Sequence, residues 1–296
     1  MDRFKPIELE DRRWVDPLLQ TEKRFGCEYS FGCNYIWRKI YQIQIAQLCG
    51  CFALRNTVDD HYEYNYPVGK PENRLQAVKA IFQLHDPKTG PLIFRGMSKE
   101  HIDELETAYP GQFSFSSNRD EADYIYLSER LISLSGKKLQ SKRNHIRRFC
   151  DNPDWCYEDI TKDNIDECRE MNRKWCEIHG CFSDDGLKAE SCAVNEAFQH
   201  FFDLDFKGGL IRQNGTVIAF SIGEAQNDEL FTVHIEKAMG DIQGAYAIIN
   251  REFAKHNCAQ YQYINREEDM GDAGMRKAKL SYQPEIVLEK YTAIQR

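Results

Sequence analysis

The period of apolar and polar positions changes repeatedly along this chain, and each change marks an element. The clearest stretch runs from Glu229 to His256, ELFTVHIEKAMGDIQGAYAIINREFAKH. Alternation predicts a strand with Leu230, Thr232, His234 and Glu236 on one side and Phe231, Val233, Ile235 and Lys237 on the other. A turn with Gly240 and Gly244 follows, and Ala245, Ile248, Ile249 and Phe253 then fall at helical spacing. A strand feeding a glycine turn that opens a helix leaves unpaired backbone N–H groups at the helix start. Gly240, Ile242, Gln243, Gly244 and Ala245 are therefore a candidate seat for a phosphate or carboxylate, with a tight ligand-free turn as the alternative.

The same reading applied along the chain predicts a short helix over 10–20, broken or kinked by Pro17, and then an aromatic-rich segment from Phe25 to Tyr41 that reads as core or a docking face. Strands IQIAQLCGCFALRN and HYEYNYPVG, helix PENRLQAVKAIFQLH, strand PLIFRGM, a helix capped by Ser98, and strands FSFSS and DYIYLS complete the first half. The second half begins with strand WCYEDI and two helices, TKDNIDECREMNRKWCEIHG and LKAESCAVNEAFQHFFDL. A three-strand meander follows, turned at Asn214-Gly215 and Asn227-Asp228. Beyond the glycine turn and its helix come strand QYQYINRE, a helical DAGMRKAKLSY and strand EIVLEKYTAI. The two halves repeat an order of elements, which predicts a tandem duplication in the α/β class, with one mixed sheet per half and halves at 1–133 and 134–296.

Length and composition agree with two globular domains: 296 residues, 42% hydrophobic and 29% charged. A net charge of −8 argues against a general nucleic-acid coat, and no DNA partner is expected. Against that background the stretch from Leu134 to Cys150 stands out. Lys137, Lys138, Lys142, Arg143, Arg147 and Arg148 crowd one helix at 137–148 without an acid, either as a solvated face or as a surface for an anion. Eleven scattered cysteines fit reduced thiols. Cys168, Cys176, His179, Cys181 and Cys192 match no standard zinc spacing, so no metal is expected. No apolar run reaches the roughly 18 residues of a membrane span and the N-terminus is too charged for a secretory signal, so a cytoplasmic location is expected.

The order of meander, glycine-turn helix, strand, helix and strand resembles the acetyltransferase-like (GNAT) fold, in which that turn holds the pyrophosphate of coenzyme A. Gly244 takes the place of the turn's first glycine, while Asp241 and Tyr246 depart from its usual pattern. YLSERLISLSGKKLQSKRNHIRRF, NGTVIAFSIGEAQNDELFTVHIEKA and DAGMRKAKLSYQPEIVLEKY resemble more closely the soluble C-terminal domain of bacterial phosphatidylglycerol lysyltransferases. Gly274, Met275, Arg276, Lys279, Tyr282 and Pro284 fall on that family's signature, and the likeness covers Tyr124 to Tyr291. The resemblance implies two tandem GNAT-like halves that transfer an acyl or aminoacyl group, with the site in the second half and aminoacyl-tRNA or acyl-CoA as donor. It leaves the acceptor, an amine or a hydroxyl, open.

Such a transfer needs a base, donors for the developing oxyanion and a grip on the donor. Glu236 is the candidate base, His234 its expected neighbour on the same face, and Tyr282 a candidate proton donor to the leaving oxygen. Arg276 and Lys279 are candidates to grip phosphate or carboxylate, or else to pair with Glu267, Glu268, Asp269 or Asp272. Asp269 or Asp272 is placed to hold an α-amino group, Asn265 a donor amide, and Lys138, Lys142 and Arg143 the phosphates of tRNA. The rival expectation is a non-catalytic module that binds RNA or a small anion.

Overall fold

The computed structural model describes residues 3–58, 61–181 and 183–296. The chain divides into two units, Met1–Asp123 with Leu288–Arg296, and Tyr124–Val287. The division thus falls at Asp123 rather than at residue 133, and the last residues belong with the first unit.

The first unit contains β1 (Lys5–Pro6), α1 (Arg12–Leu19), α2 (Phe31–Trp37), β2 (Gln44–Leu48), β3 (Cys51–Val58), β4 (His61–Asn65), α3 (Pro71–Leu84), β5 (Ile93–Met97), α4 (Lys99–Ala108) and β6 (Phe113–Ser117). Pro17 lies inside α1 without ending it. The second contains β7 (Asp123–Leu127), α5 (Ser128–Ser133), α6 (Gln140–Cys150), β8 (Trp155–Asp159), α7 (Ile165–His179), α8 (Asp185–Gln199), β9 (Lys207–Gln213), β10 (Thr216–Ala225), β11 (Leu230–Ala238), α9 (Ala245–Asn257), β12 (Tyr263–Asn265), α10 (Ala273–Leu280) and β13 (Ile286–Leu288). The chain ends in β14 (Tyr291–Gln295).

Two seven-stranded sheets result, β1-β2-β3-β4-β5-β14-β6 and β8-β9-β10-β11-β12-β7-β13. Written in those orders they correspond strand by strand. In each, the first four strands are antiparallel, the fourth and fifth are parallel, and the sixth is antiparallel to the fifth. Two helices follow the first strand, one joins the parallel pair, and one follows the fifth strand. The duplication is therefore real at the level of topology, and both halves are GNAT-like. The sixth strand of each sheet comes from the chain that follows the other sheet's edge strand, β7 after β6 and β14 after β13. For this reason EIVLEKYTAI is not one strand: Glu289 and Lys290 separate β13 from β14, which join different sheets.

In the second unit the Asn214-Gly215 turn has positive φ at both residues, 48° and 75°, the conformation that lets β9 and β10 pair through a two-residue hairpin. The apolar face of α9 packs on this sheet through Ala245, Ile248, Ile249 and Phe253, against Phe231, Val233, Ile218 and Tyr126. α6 adds Ile146 and Phe149 to the same core. Among the described residues no helix is long and apolar enough to cross a membrane.

Candidate active site

β11 does not keep the alternation its sequence suggests. Ile235 opposes Ile222 and Val233 opposes Gly223, so His234 is an extra residue, a β-bulge. Before the bulge, Phe231 and Val233 face the core under α9; after it, Ala238 does. The bulge therefore separates two residues expected to share a face. Glu236, paired with Ser221, turns toward α9, while His234 turns the other way, toward Glu224 of β10.

β12 runs parallel to β11 only as far as Asn265, opposite Thr232, and β11 continues alone for six residues to Ala238. The opening beyond the ends of two parallel strands is where ligands of α/β sheets commonly bind. Two charged side chains from just past β12 fill it, one per face. On the α9 face Arg266 Nη2 donates to Glu236 Oε1 at 2.8 Å, and Asn250 Nδ2 of α9 donates to Oε2 at 3.0 Å. On the other face Glu267 Oε1 lies 2.7 Å from His234 Nδ1, and Glu224 Oε1 lies 3.0 Å from Nε2. Both ring nitrogens can donate to these carboxylates only as an imidazolium.

On the α9 face further charged and aromatic side chains gather around the Glu236–Arg266 pair. The Arg266 guanidinium lies 4.9 Å from the ring centre of Tyr282 and 5.7 Å from that of Tyr126. The ammonium of Lys142, from α6, stands 4.0 Å from the Tyr282 ring. Burial lowers the Lys142 pKa, and the positive charge of Arg266 lowers it further, with Glu236 opposing both. Burial works against charge on Arg266, yet Glu236 holds its pKa above the ordinary value. Burial pushes the Tyr282 phenol up, which keeps it a protonated donor. Ser221 Oγ, Asn250 Oδ1 and Arg266 Nη1 are buried here without a hydrogen-bond partner.

The motif residues after β12 hold this opening in place. Arg276 Nε and Nη2 grip Asp269 at 2.8 and 2.7 Å, and the same carboxylate takes the Tyr124 hydroxyl at 2.5 Å and the Gly271 N–H at 3.0 Å. The Arg276 hydrogen bond, with burial opposing it, holds the Asp269 carboxyl well below the usual range. Lys279 Nζ donates to the carbonyls of Arg266, Glu267 and Glu268, at 2.6, 3.1 and 2.5 Å. Asn265 Oδ1 takes the Glu267 N–H at 2.7 Å, and Asp272 caps α10 at the Met275 N–H. Arg276, Lys279, Asp269, Asp272 and Asn265 thus bind the loop that presents Arg266 and Glu267; pairing, the alternative to a ligand grip, is what the geometry contains.

At the start of α9 Gly244 has φ +89°, and a Cβ there would stand 2.6 Å from the His145 carbonyl oxygen. α6 lies directly over this glycine. Gly240 and Gln243 stand at the open side of the turn, Ile242 packs partly on the core, and Ala245 is buried in it. Along α6, Arg143 donates to the carbonyls of Leu134 and Gly136, which fixes the approach to the helix. Lys138, Arg147 and Arg148 are exposed. Cys168 and Cys176 are buried on α7.

The first unit has a helix start at the matching position, before α3, and its own chain fills it. Glu22 Oε1 takes the Gly69 N–H at 3.0 Å and lies 3.1 Å from Arg74 Nη1. Burial pushes this carboxyl up, but His101, Arg24 and the Gly69 N–H outweigh it and bring the pKa to about 2.

Two residues of the second-unit centre escape a reading of the sequence. Arg266 gains its role only because β12 stops one residue earlier, and Asn250 is a polar residue on the buried face of α9. A polar residue between Ile249 and Phe253 on that face is the one available signal.

Comparison with known proteins agrees with this architecture. A conserved protein of unknown function from Bacteroides thetaiotaomicron is 40% identical, with both chains covered in full and a TM-score of 0.95. The C-terminal domain of a putative lysylphosphatidylglycerol synthetase from Agrobacterium fabrum shares the fold at 14% identity and a TM-score of 0.70, over 97% of this chain and 92% of that one. An uncharacterized protein of Mycoplasmoides gallisepticum is 24% identical over 182 residues, 59% of this chain and 56% of that relative, so the match spans little more than half of the curated protein. The model of the family described as phosphatidylglycerol lysyltransferase, C-terminal, matches residues 20–294, and the chain belongs to that family.

Proposed function

We propose that the second unit transfers an aminoacyl group from aminoacyl-tRNA to an amine or hydroxyl acceptor. The observation that carries this reading is the Glu236 carboxylate at the parting of β11 and β12, held by Arg266 and Asn250 with Lys142 and Tyr282 beside it. Each Glu236 oxygen accepts one hydrogen bond and keeps a second lone pair. The carboxylate can therefore take the proton of an attacking amine or hydroxyl and return it to the leaving ribose oxygen. Tyr282 is the nearby neutral hydroxyl that can assist that return. His234 has no part in this step, since its face of the sheet is the other one.

Aminoacyl-tRNA is favoured over acyl-CoA on two grounds. The helix that supplies Lys142 also exposes Arg147 and Arg148, and the short helical turn Lys137–Leu139 just before it exposes Lys138, cations that suit a phosphate backbone. The glycine turn is closed on one side by the His145 carbonyl and carries Asp241, a poor arrangement for a pyrophosphate. The relative named for lysylphosphatidylglycerol synthesis makes lysine the first aminoacyl group to test. This work would be done where charged tRNA is found, in the cytoplasm.

The test needs no knowledge of the acceptor. Total bacterial tRNA charged with labelled amino acids is mixed with the protein and hydroxylamine, and aminoacyl hydroxamate is measured above the spontaneous rate. Glu236→Gln should lower kcat by about 10² to 10⁴ while tRNA binding persists. A protein that binds charged tRNA and makes no hydroxamate would instead be a binding module. Calorimetric binding of coenzyme A would favour the thioester donor.

A further inference from the structure

We propose that Arg266 is a catalytic residue of this transfer, and that its Nη1 edge donates to the carbonyl oxygen of the aminoacyl ester as that oxygen becomes an oxyanion. The inference rests on the acyl-transfer reading above. Arg266 lies just past β12, where β11 has lost its partner, and its two terminal nitrogens have different fates. Nη2 is committed to Glu236 Oε1 at 2.8 Å. Nη1 is buried and has no acceptor.

A buried N–H left without an acceptor is destabilising, and more so when it is charged. Such a donor is at its most useful where negative charge appears during a reaction, because it is already oriented and the surroundings are poor in water. The Tyr282 and Tyr126 rings pack close to the guanidinium, and Glu236 fixes its rotation through Nη2. Glu236 therefore has a second task, to aim Arg266. The pair sets a base and an oxyanion donor side by side on one face of the sheet.

The attacking nitrogen or oxygen forms a bond to the ester carbonyl carbon, and the π electrons move to the carbonyl oxygen, which Nη1–H receives. Glu236 takes the proton of the nucleophile. The carbonyl then re-forms, the bond to the ribose oxygen breaks, and that oxygen leaves with the proton from Glu236. Arg266 keeps its own protons throughout.

Hydroxamate formation from charged tRNA and hydroxylamine separates the outcomes. Arg266→Gln should lower kcat about 10² to 10³ with KM for charged tRNA nearly unchanged. Arg266→Lys, which keeps the charge but not the fork, should fall between. Arg266→Ala should regain part of its activity when guanidinium chloride is added below denaturing concentration, and methylammonium should rescue less. A structural role would not produce that rescue. If the wild type is active and Arg266→Gln retains its kcat, or loses activity only in step with its Tm without guanidinium rescue, the Arg266 proposal is overturned and the transferase reading stands. A wild type that forms no hydroxamate with any charged tRNA overturns both.

Discussion

His234 and Glu236 stand two residues apart on β11 and send their side chains to opposite faces of the sheet. A single bulged residue does this: Ile235 pairs with Ile222 and Val233 with Gly223, which leaves His234 without an opposite number. The consequence is a division of labour across the sheet. Glu236, Arg266, Asn250, Lys142 and Tyr282 gather on one face, and on the other His234 lies within hydrogen-bond distance of both Glu224 and Glu267.

That division predicts unequal effects of mutation. Replacing His234 by Gln removes the ring whose two nitrogens lie within hydrogen-bond distance of Glu224 and Glu267, in a site where the His234 side chain is 1% exposed. Leaving buried carboxylate oxygens without their hydrogen-bond partner costs on the order of 3 kcal/mol. His234→Gln should therefore lower the urea midpoint clearly while kcat for hydroxamate formation falls less than tenfold. A loss of more than a hundredfold in kcat at unchanged stability would place His234 in the chemistry after all.

Gly244 makes a sharper structural prediction. With φ at +89° and the His145 carbonyl oxygen 2.6 Å from where a Cβ would sit, Gly244→Ala is strained by its backbone and by its neighbour. The strain should cost about 1–3 kcal/mol. Gly240 meets nothing within 4 Å at the same test and has no such φ, so Gly240→Ala should be near neutral. Parallel urea titrations of the two variants check the contrast. Equal stabilities would mean that α6 does not bear on this turn.

Much of this architecture is legible in the residues, and the parts that are not have identifiable causes. The meander shows because Asn214-Gly215 can take the positive φ its hairpin needs. α9 shows because its apolar positions recur at helical spacing before they meet any partner. The bulge at His234 does not show: alternation in LFTVHIEK continues through it, and only the pairing with β10 reveals the extra residue. The separation of β13 from β14 is hidden in the same way, because which sheet a strand joins is decided by partners far along the chain. Arg266 reads as one more charge in a charged run, and its importance comes from the place where β12 stops. Arg276 and Lys279 are visible by type and spacing, but they hold the loop beside the opening rather than standing free.

The filled helix start of the first unit predicts a pH dependence. The Glu22 carboxyl titrates near 4.5 when unfolded and at about 2 when folded. Its folded-state pKa is depressed, so its stabilisation is complete above about pH 5 and is lost as the pH falls toward 2. The full effect is about 3 kcal/mol. His101, beside it, has its pKa lowered by burial and contributes its own loss of stability as the pH falls from 6.5. Glu22→Gln should make the acid limb below about pH 5 shallower by the Glu22 share, leaving the part that comes from other depressed carboxylates such as Asp269 and the limb near His101, as read by urea unfolding across that range. An unchanged acid limb would mean that Glu22 does not act as the internal anion at Gly69.

α6 separates the tRNA reading from its rivals. Lys138 in the turn leading into α6 and Arg147 and Arg148 on it are exposed, whereas Arg143 is committed to the Leu134 and Gly136 carbonyls. Charge reversal at the first three should therefore leave the fold intact. Removing a cation that neutralises a phosphate weakens binding and reduces the slope of log affinity against log salt by about 0.7 to 0.9. The triple variant should raise KM for charged tRNA at least tenfold at low salt, converge on the wild type as salt is added, and keep its kcat, because Lys142 and the Glu236 centre are untouched. Arg143→Glu should behave differently, lowering the Tm before it changes KM. If the triple variant keeps both its KM and its salt slope, α6 is a solvated face and the donor approaches from elsewhere.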